Sequence, residues 1–259
     1  MRTTAIINCK GGVGKTVTTL SFAAELAARG KRVVAVDADP QCNLTNFYLA
    51  QREEGYTSLY DVLTGQNEPY YGDWILDASE NIRLIPGSMD LILADVRALK
   101  DGSVKLGVLR ELAEVMAEDD AADFMLIDCP PSFTAAATAA LFAADDVILP
   151  IKLDYFSLSG VSEIMRQIAG MHDVNPRLRV SGVLVTQYDG TTVANETLDA
   201  LRESAVPIFG TAIHRTTAVD RAIFEHRPLR ELPGSYPKRA ADEYAAVVDE
   251  WLKGGAGNG

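Results

Sequence analysis

The 259-residue chain has few cysteines and no long apolar run. Its three cysteines, Cys9, Cys42 and Cys129, show no spacing typical of a disulfide framework, so we expect a reducing compartment. No run approaches the roughly 18 uncharged apolar residues that a membrane helix needs. The first residues carry no charged-then-apolar leader, so we expect no export signal. These features predict a cytoplasmic protein that does not cross a membrane.

The chain also lacks long Pro/Gly/Ser-rich linkers and internal repeats. Without such boundaries, a chain of this length is expected to fold as one domain with a sizeable core. We therefore predict a single domain over residues 1–253. The glycine-rich tail over residues 254–259 is expected to be disordered.

A net positive charge is missing as well. The chain has 24 Lys and Arg against 36 Asp and Glu, a net charge of −12, which taken globally argues against nucleic acid as a partner. Residues 205–240 reverse this balance, with six basic and three acidic residues and a local charge of +3. Such a run can be a solvated face or a binding patch. Its basic residues are Arg215, Arg221, Arg227, Arg230, Lys238 and Arg239.

Seven apolar runs recur along the chain with helix-like spacing between them. Most are continuous rather than alternating, which is typical of strands covered on both faces. The predicted strands are 4–8, 32–37, 82–86, 124–128, 147–151, 180–186 and 208–213. Helical stripes are predicted at Leu158, Val161, Ile164, Met165, Ile168 and Met171, and at Ala241, Tyr244, Ala245, Val248, Trp251 and Leu252. Residues 61–77 look like an irregular surface excursion. The pattern predicts an α/β fold, a mostly parallel twisted sheet with helices on both faces.

Residues 10–16 read KGGVGKT, between an apolar strand and a helical segment. That context is typical of a P-loop, in which glycines let backbone N–H groups surround a phosphate. Lys15 is expected to reach the β- and γ-phosphates, and the Thr16 hydroxyl to bind Mg²⁺. The predicted nucleotide-binding residues of the loop are Lys10, Gly11, Gly12, Val13, Gly14, Lys15, Thr16 and Val17.

The loop departs from the usual P-loop, because Cys9 replaces a glycine and Lys10 adds a second lysine. In these residues the chain resembles the deviant Walker A ATPases, the ParA/MinD superfamily of P-loop NTPases, whose signature is KGGVGKT. The resemblance implies ATP and Mg²⁺ as cofactors. It assigns Lys15 to the chain's own nucleotide and Lys10 to the nucleotide of a partner subunit.

Two further strands end in acids. Residues 33–41 match the DxDPQ element of that family, and the resemblance places Asp39 beside the attacking water or the Mg²⁺ shell, with Asp37 supporting the loop. The alternative is that Asp39 only caps a turn before Pro40.

Residues 124–128 form a Walker B motif in which Asp128 is expected to hold the metal through water. The predicted catalytic residues are Lys10, Lys15 and Asp39, and the predicted metal-binding residues are Thr16, Asp39 and Asp128.

Near the carboxyl end, the family usually has Ile-Pro-Arg-Asn beside the adenine, where this chain has Ile-His-Arg-Thr at 213–216. The resemblance implies nucleotide contacts from His214 and Thr216, although a lone histidine can also be an ordinary surface residue. It further implies that Arg215 meets DNA phosphates, and we extend this prediction to Arg221, Arg227 and Arg230.

Three classes within the superfamily compete. A MinD-type membrane regulator would end in a basic amphipathic helix, whereas residues 242–252 are acidic on their polar face. An iron–sulfur ATPase needs converging thiolates, whereas Cys9 and Cys129 adjoin the predicted nucleotide site. The remaining class, the ParA/Soj-type partition ATPases, implies an ATP-dependent homodimer, non-specific DNA, a ParB-like partner and a nucleoid location. A ParA-like ATPase that positions a protein cargo is the alternative.

Overall fold

The computed structural model describes residues 1–49, 55–65, 72, 74–154, 157–204 and 206–254, in which strands and helices alternate. The strands are β1 (Arg2–Ile6), β2 (Val33–Asp37), β3 (Leu76–Ser79), β4 (Ile82–Ile85), β5 (Phe124–Asp128), β6 (Asp146–Lys152) and β7 (Arg179–Thr186). The helices are α1 (Lys15–Ala28), α2 (Asn43–Leu49), α3 (Leu59–Thr64), α4 (Leu91–Lys100), α5 (Val108–Glu118), α6 (Ala135–Ala143), α7 (Ser157–Gly170), α8 (Thr192–Arg202), α9 (Ala218–Phe224) and α10 (Ser235–Leu252).

The described strands form one sheet in the order β3-β4-β2-β5-β1-β6-β7. All neighbours are parallel except β3, which runs antiparallel to β4 at one edge. This confirms the predicted mostly parallel α/β sheet. Because Ile6 and Asp37 both lie opposite Asp128 in register, the carboxyl ends of β1, β2 and β5 meet at one edge. Open α/β sheets bind ligands at this edge.

Alternate residues of the central strands belong to apolar layers on opposite faces of the sheet. On β5, Ile127 belongs to the layer that includes residues of α3 to α8, whereas Leu126 belongs to the layer that includes residues of α1, α9 and α10. A smaller cluster includes Ala35 of β2 and Leu84 of β4. Both faces of the sheet are therefore covered, which explains why the strands read as continuous apolar runs. Of the predicted helical stripes, Val161, Ile164 and Ile168 are buried on α7, and Ala241, Tyr244, Val248 and Trp251 on α10. The side chain of Leu158 lies outside the described residues.

The prediction of a continuous strand over residues 208–213 is wrong. This segment makes only isolated parallel bridges, Val183 with Ile208 and Tyr188 with His214. In its middle, the backbone N–H groups of Gly210 and Thr211 donate to the Glu250 carboxylate at 2.7 and 3.1 Å instead of to β7. A side chain of α10 thus replaces the ladder that would have made the strand regular.

The irregular excursion predicted for residues 61–77 is also wrong where the structure describes it. Its first residues complete α3, which begins with a capping box between Ser58 and Asp61, and its last residues open β3. The capping box satisfies two backbone N–H groups that are otherwise free at a helix start. Residues 66–71 and 73 lie outside the described residues, as do 255–259 of the predicted tail, so that tail stays a prediction.

Candidate nucleotide-binding site

The loop between β1 and α1 has the backbone of a phosphate cradle. Gly12 and Gly14 have φ values of 72° and 85°, in the left-handed region that favours glycine. At Gly14, where α1 begins, no side chain caps the helix and no acidic residue lies in its first turn. The free N–H groups of that turn and the helix dipole are therefore available to an anion. A Cβ placed on Gly11 or Gly12 would meet no atom within 4 Å, so the surroundings of these two residues are open.

Two side chains at the end of β7 hold this loop in place through hydrogen bonds. The Thr186 hydroxyl donates to the Val13 carbonyl at 2.8 Å, and the Gln187 side-chain amide donates to the Gly12 carbonyl at 2.6 Å. These bonds turn loop carbonyls towards the protein, which leaves the loop N–H groups for the phosphate side. Sequence reasoning missed Thr186 and Gln187. Their position at the end of a buried strand is the sequence signal by which they could have been found.

The two lysines of the loop have different environments. Lys15 is buried, and its Nζ lies 3.3 Å from the Lys10 carbonyl oxygen. Lys10 is turned away from its own loop and forms an ion pair with Asp154, between β6 and α7, with 46% of its side chain exposed. Asn8 accepts a hydrogen bond from the Lys10 backbone N–H at 2.9 Å and so orients this part of the loop. Only Lys15 therefore points along its own cradle.

Asp37 braces the loop that follows β2. Its carboxylate accepts bonds from the Thr45 backbone N–H and hydroxyl, both at 2.7 Å, and from the Asp39 N–H at 3.2 Å. Burial raises the pKa of Asp37, and the hydrogen bonds from Thr45 and Asp39 oppose that rise. Thr45 in turn accepts from the Gly87 N–H at 2.8 Å. A Cβ on Gly87 would lie 2.9 Å from the Asp37 carbonyl oxygen, so only glycine fits there without a shift.

Asp39 lies at the same edge and is buried. Its Oδ1 accepts a hydrogen bond from the Gln41 N–H at 2.9 Å, which is the turn-capping role that the sequence left open. Hydrogen bonds within the described residues use only this one oxygen of the Asp39 carboxylate. The turn therefore orients Asp39 without preventing a second role for it in catalysis.

Asp128 is the feature that best fits a bound cation. It is fully buried, and its Oδ2 has no hydrogen-bond partner among the described residues. Burial raises the pKa of Asp128 and the charges of Asp37 and Asp39 raise it further, whereas Thr16 and Lys15 lower it. Clustered carboxylates of this kind are stabilised by a divalent cation.

The residues around Asp128 suit Mg²⁺ in particular. Mg²⁺ keeps several waters and binds through one or two carboxylates and substrate phosphates. No group of three or more His, Cys, Asp or Glu residues able to hold a metal occurs within the described ranges. A cation held here by Thr16 and Asp128 therefore needs water and phosphate oxygens to complete its shell.

Predicted adenine-side residues lie between the end of β7 and α10. His214 Nδ1 lies 2.8 Å from Glu243 Oε1, and the His214 backbone N–H donates to Glu243 Oε2 at 2.9 Å. The His214 ring packs edge-on against Tyr188, with ring centroids 5.2 Å apart. The Thr216 hydroxyl accepts from the Ala218 N–H at 3.1 Å. Glu243, which sequence reasoning missed, thus fixes the orientation of the His214 ring.

The four arginines predicted to contact DNA differ in their ion pairing. Arg215 is exposed and makes no ion pair within 4 Å among the described residues. The other three carry their charge against nearby acids, which reduces the positive potential they present. Arg221 pairs with Glu225 at 2.6 Å, Arg227 with Glu225 at 3.9 Å, and Arg230 with Glu25 at 3.3 Å.

Two further findings concern the competing classes. None of the helices within the described ranges combines the length and apolar character needed to cross a bilayer. All three cysteines are free thiols. Cys129 is buried beside Asp128, and burial raises the pKa of its thiol, which disfavours the thiolate that a cluster needs.

Comparison with known proteins agrees with this geometry. The chromosome-partitioning ATPase Soj of Thermus thermophilus is 35% identical over 260 aligned positions, covering 96% of this chain and 98% of that protein. The chromosome partitioning protein ParA of Caulobacter vibrioides is 35% identical, covering 88% of this chain and 86% of that protein. Among solved structures, cobyrinic acid a,c-diamide synthase of Mycobacterium smegmatis, with a bound ATP analogue and magnesium, is 31% identical with a TM-score of 0.78. That likeness covers 98% of this chain and 95% of the other.

Residues 1–180 match the family model described as an AAA domain. This match spans the loop after β1, the acids that end β2 and β5, and most of the sheet. This match and the relatives above confirm the predicted resemblance to the family. The chain belongs to the AAA-domain family and, within it, to the ParA/Soj-type partition ATPases.

Proposed function

We propose that this ATPase forms an ATP-dependent sandwich dimer, binds DNA without sequence specificity and segregates or positions DNA together with a ParB-like partner. The observation that carries the proposal is one sheet edge with three parts: a phosphate cradle, an unpartnered buried carboxylate oxygen and a second lysine turned outwards. Its cytoplasmic, nucleoid-associated location follows from the DNA binding.

ATP with Mg²⁺ supplies the phosphoryl group and the charge neutralisation that hydrolysis requires. In our proposal the loop N–H groups and Lys15 bind the phosphates, while Thr16 and Asp128 hold the cation shell. Asp39 orients the attacking water, and Asp37 keeps the Asp39 loop in place through its bond to the Asp39 N–H. Binding and hydrolysis are thus assigned to different side chains, which mutation can separate.

The dimer is proposed from the environment of Lys10. This lysine is half exposed and pairs with Asp154 instead of with its own cradle. An exposed ion pair of this kind contributes little stability, so a strong anion can replace it. In the proposed dimer, Lys10 leaves Asp154 and reaches the phosphates bound by the other subunit.

Arg215 supports the proposed DNA contact. It is exposed and has no acidic partner within 4 Å among the described residues, unlike Arg221, Arg227 and Arg230. One such arginine on a chain of net charge −12 gives a weak site. Two copies in a dimer double the number of phosphate contacts, which makes the binding both stronger and dependent on ATP.

The test is a gel shift on unrelated DNA fragments with ATP and Mg²⁺, at low and moderate salt. Wild type is expected to bind, with affinity falling steeply as salt rises. Arg215→Glu should largely remove binding, whereas Arg202→Glu, an equal charge change on α8, should not. Equal binding by both variants would take Arg215 out of the DNA face.

The internal pairing of three arginines favours one second candidate, a ParA-like ATPase that positions a protein cargo. Because two acids, Glu225 and Glu25, offset part of the charge of Arg221, Arg227 and Arg230, the free basic surface is reduced. Wild type that fails to bind DNA at any salt, yet binds a protein cargo in the presence of ATP, would establish this candidate instead.

A further inference from the structure

A row of exposed apolar side chains begins two residues before α4 and continues along one face of that helix. Its spacing is that of a helical stripe, and its members are between 48% and 90% exposed. The opposite face, with Leu91 and Ala94, is buried against α3 and α6. Single exposed apolar residues are common, but a contiguous row marks an interaction surface. The α4 row consists of Met89, Ile92, Leu93, Val96 and Leu99.

The fold connects α4 to the nucleotide edge at two places. The segment before α4 contains Gly87, whose N–H donates to Thr45 beside Asp37. Within α4, the Asp95 carboxylate accepts a hydrogen bond at 2.6 Å from the N–H of Ala135, the first residue of α6. Because α6 follows the loop that begins at Asp128, this bond links α4 to the first residue after that loop.

Charges at the ends of α4 indicate what covers the row. Asp90 precedes the helix without capping it, Lys100 ends it, and neither makes an ion pair within 4 Å among the described residues. The two are ten residues apart, or about 15 Å along the helix. An antiparallel copy of α4 would therefore bring Asp90 of each subunit beside Lys100 of the other. The opposite charges at the two ends of α4 are therefore complementary to those of a second, antiparallel copy of the same helix.

We propose that the α4 row packs antiparallel against the α4 row of a second copy and forms part of the dimer interface. This inference rests on the proposed ATP-dependent dimer. One pair of short helices covers much less than the roughly 800 Å² per partner of a stable interface. The α4 contact therefore stabilises the dimer only together with the nucleotide face, which makes it dependent on ATP.

The first test replaces the centre of the row. Val96→Asp puts a charge on a position that is 56% exposed in the monomer, so folding is expected to be unaffected. Val193→Asp, on α8 and equally exposed, is the matched control. Sedimentation of the full chain with a non-hydrolysable ATP analogue and Mg²⁺ should show dimerisation weakened at least about tenfold by Val96→Asp and unchanged by Val193→Asp. Nucleotide affinity of the monomer should be the same in all three proteins.

The second test exchanges the end charges. Asp90→Lys and Lys100→Asp should each weaken the dimer about threefold to tenfold, because two exposed ion pairs per dimer become repulsive. The double exchange should restore wild-type dimerisation. Both substitutions also place a charge at the end of α4 where the helix dipole disfavours it. If the variants weakened the dimer only through such an effect within α4, the double variant would be weaker than either single variant instead of being restored.

The outcomes separate this inference from the proposed dimer. A wild-type dimer that Val96→Asp leaves intact, or single charge exchanges that the double does not rescue, would overturn the α4 contact and leave the dimer standing. Wild type that stays monomeric with the nucleotide analogue would overturn the proposed dimer, and the α4 contact with it.

Discussion

Replacing Thr45 by valine should release the loop that carries Asp39. Valine has nearly the shape of threonine but removes the hydroxyl, which donates to Asp37 at 2.7 Å and accepts from the Gly87 N–H at 2.8 Å. Thr45 is 2% exposed, so water cannot replace either bond. The buried Asp37 carboxylate and the Gly87 N–H would both lose a partner.

The expected size follows from these two bonds. A hydrogen bond to a charged group contributes about 1.5–3 kcal/mol, and an unsatisfied buried N–H costs about 1–3 kcal/mol. The two costs together give a range of about 2.5–6 kcal/mol. The lower half of that range applies, because the Thr45 backbone N–H still donates a hydrogen bond to Asp37 in the variant. We expect Thr45→Val to reduce the free energy of unfolding by about 3 kcal/mol. The rate of ATP hydrolysis should also fall, because Asp37 accepts the hydrogen bond from the Asp39 N–H that keeps the Asp39 loop in place.

Urea unfolding and steady-state ATP hydrolysis measure these two effects. Thr45→Ser is the matched control, since it keeps the hydroxyl and loses only a methyl group, at a cost of about 1 kcal/mol. Thr197→Val, where the hydroxyl bonds within α8 at an exposed position, should change stability by less than about 0.5 kcal/mol. The reasoning is refuted if Thr45→Val is as stable and as active as Thr45→Ser.

Three further substitutions test separate parts of the account. Lys15→Ala should abolish ATP binding in calorimetry, because the phosphates lose their main cation; near-native affinity would contradict its assignment. Asp39→Ala should still bind ATP but stop hydrolysing it, so size-exclusion chromatography with ATP should show a dimer that persists. Normal ATP turnover by this variant would show that Asp39 has no role in catalysis. Asp146→Asn should cost about 3–5 kcal/mol of stability in urea unfolding, since the buried carboxylate pairs with Arg2 and accepts from Trp251 Nε1 at 2.9 Å. ATP affinity should stay unchanged, because Asp146 begins β6 at the edge away from the cradle, and a loss of affinity without a loss of stability would contradict this.

Local pattern predicted the parts of the fold that depend on neighbours in the sequence. The strand at residues 124–128 has the predicted bounds, since its five apolar and acidic residues are all buried between two helical layers. The phosphate loop was predictable for the same reason, because Gly12 and Gly14 adopt the left-handed backbone that the motif requires.

Other features depend on contacts between distant residues, and local pattern does not contain them. The segment 208–213 is diverted by Glu250, about 40 residues later in the chain. Lys10 is held by Asp154 and His214 by Glu243, neither of which stands out in the sequence. β3 was missed because its residues are half exposed at the sheet edge and lack a continuous apolar run.

The most direct test of the central claim mixes two inactive variants. Lys10→Ala lacks the lysine proposed to act on the partner's nucleotide, and Asp39→Ala lacks the residue proposed to orient water. In a mixed dimer, the site of the Lys10→Ala subunit keeps its own Lys15 and Asp39 and receives Lys10 from the partner. When the two variants are mixed in equal amounts before ATP is added, half of the dimers that form are mixed, each with one complete site, so ATP hydrolysis should recover to about a quarter of the wild-type rate. A mixture no more active than its separate components would show that Lys10 does not act across the dimer.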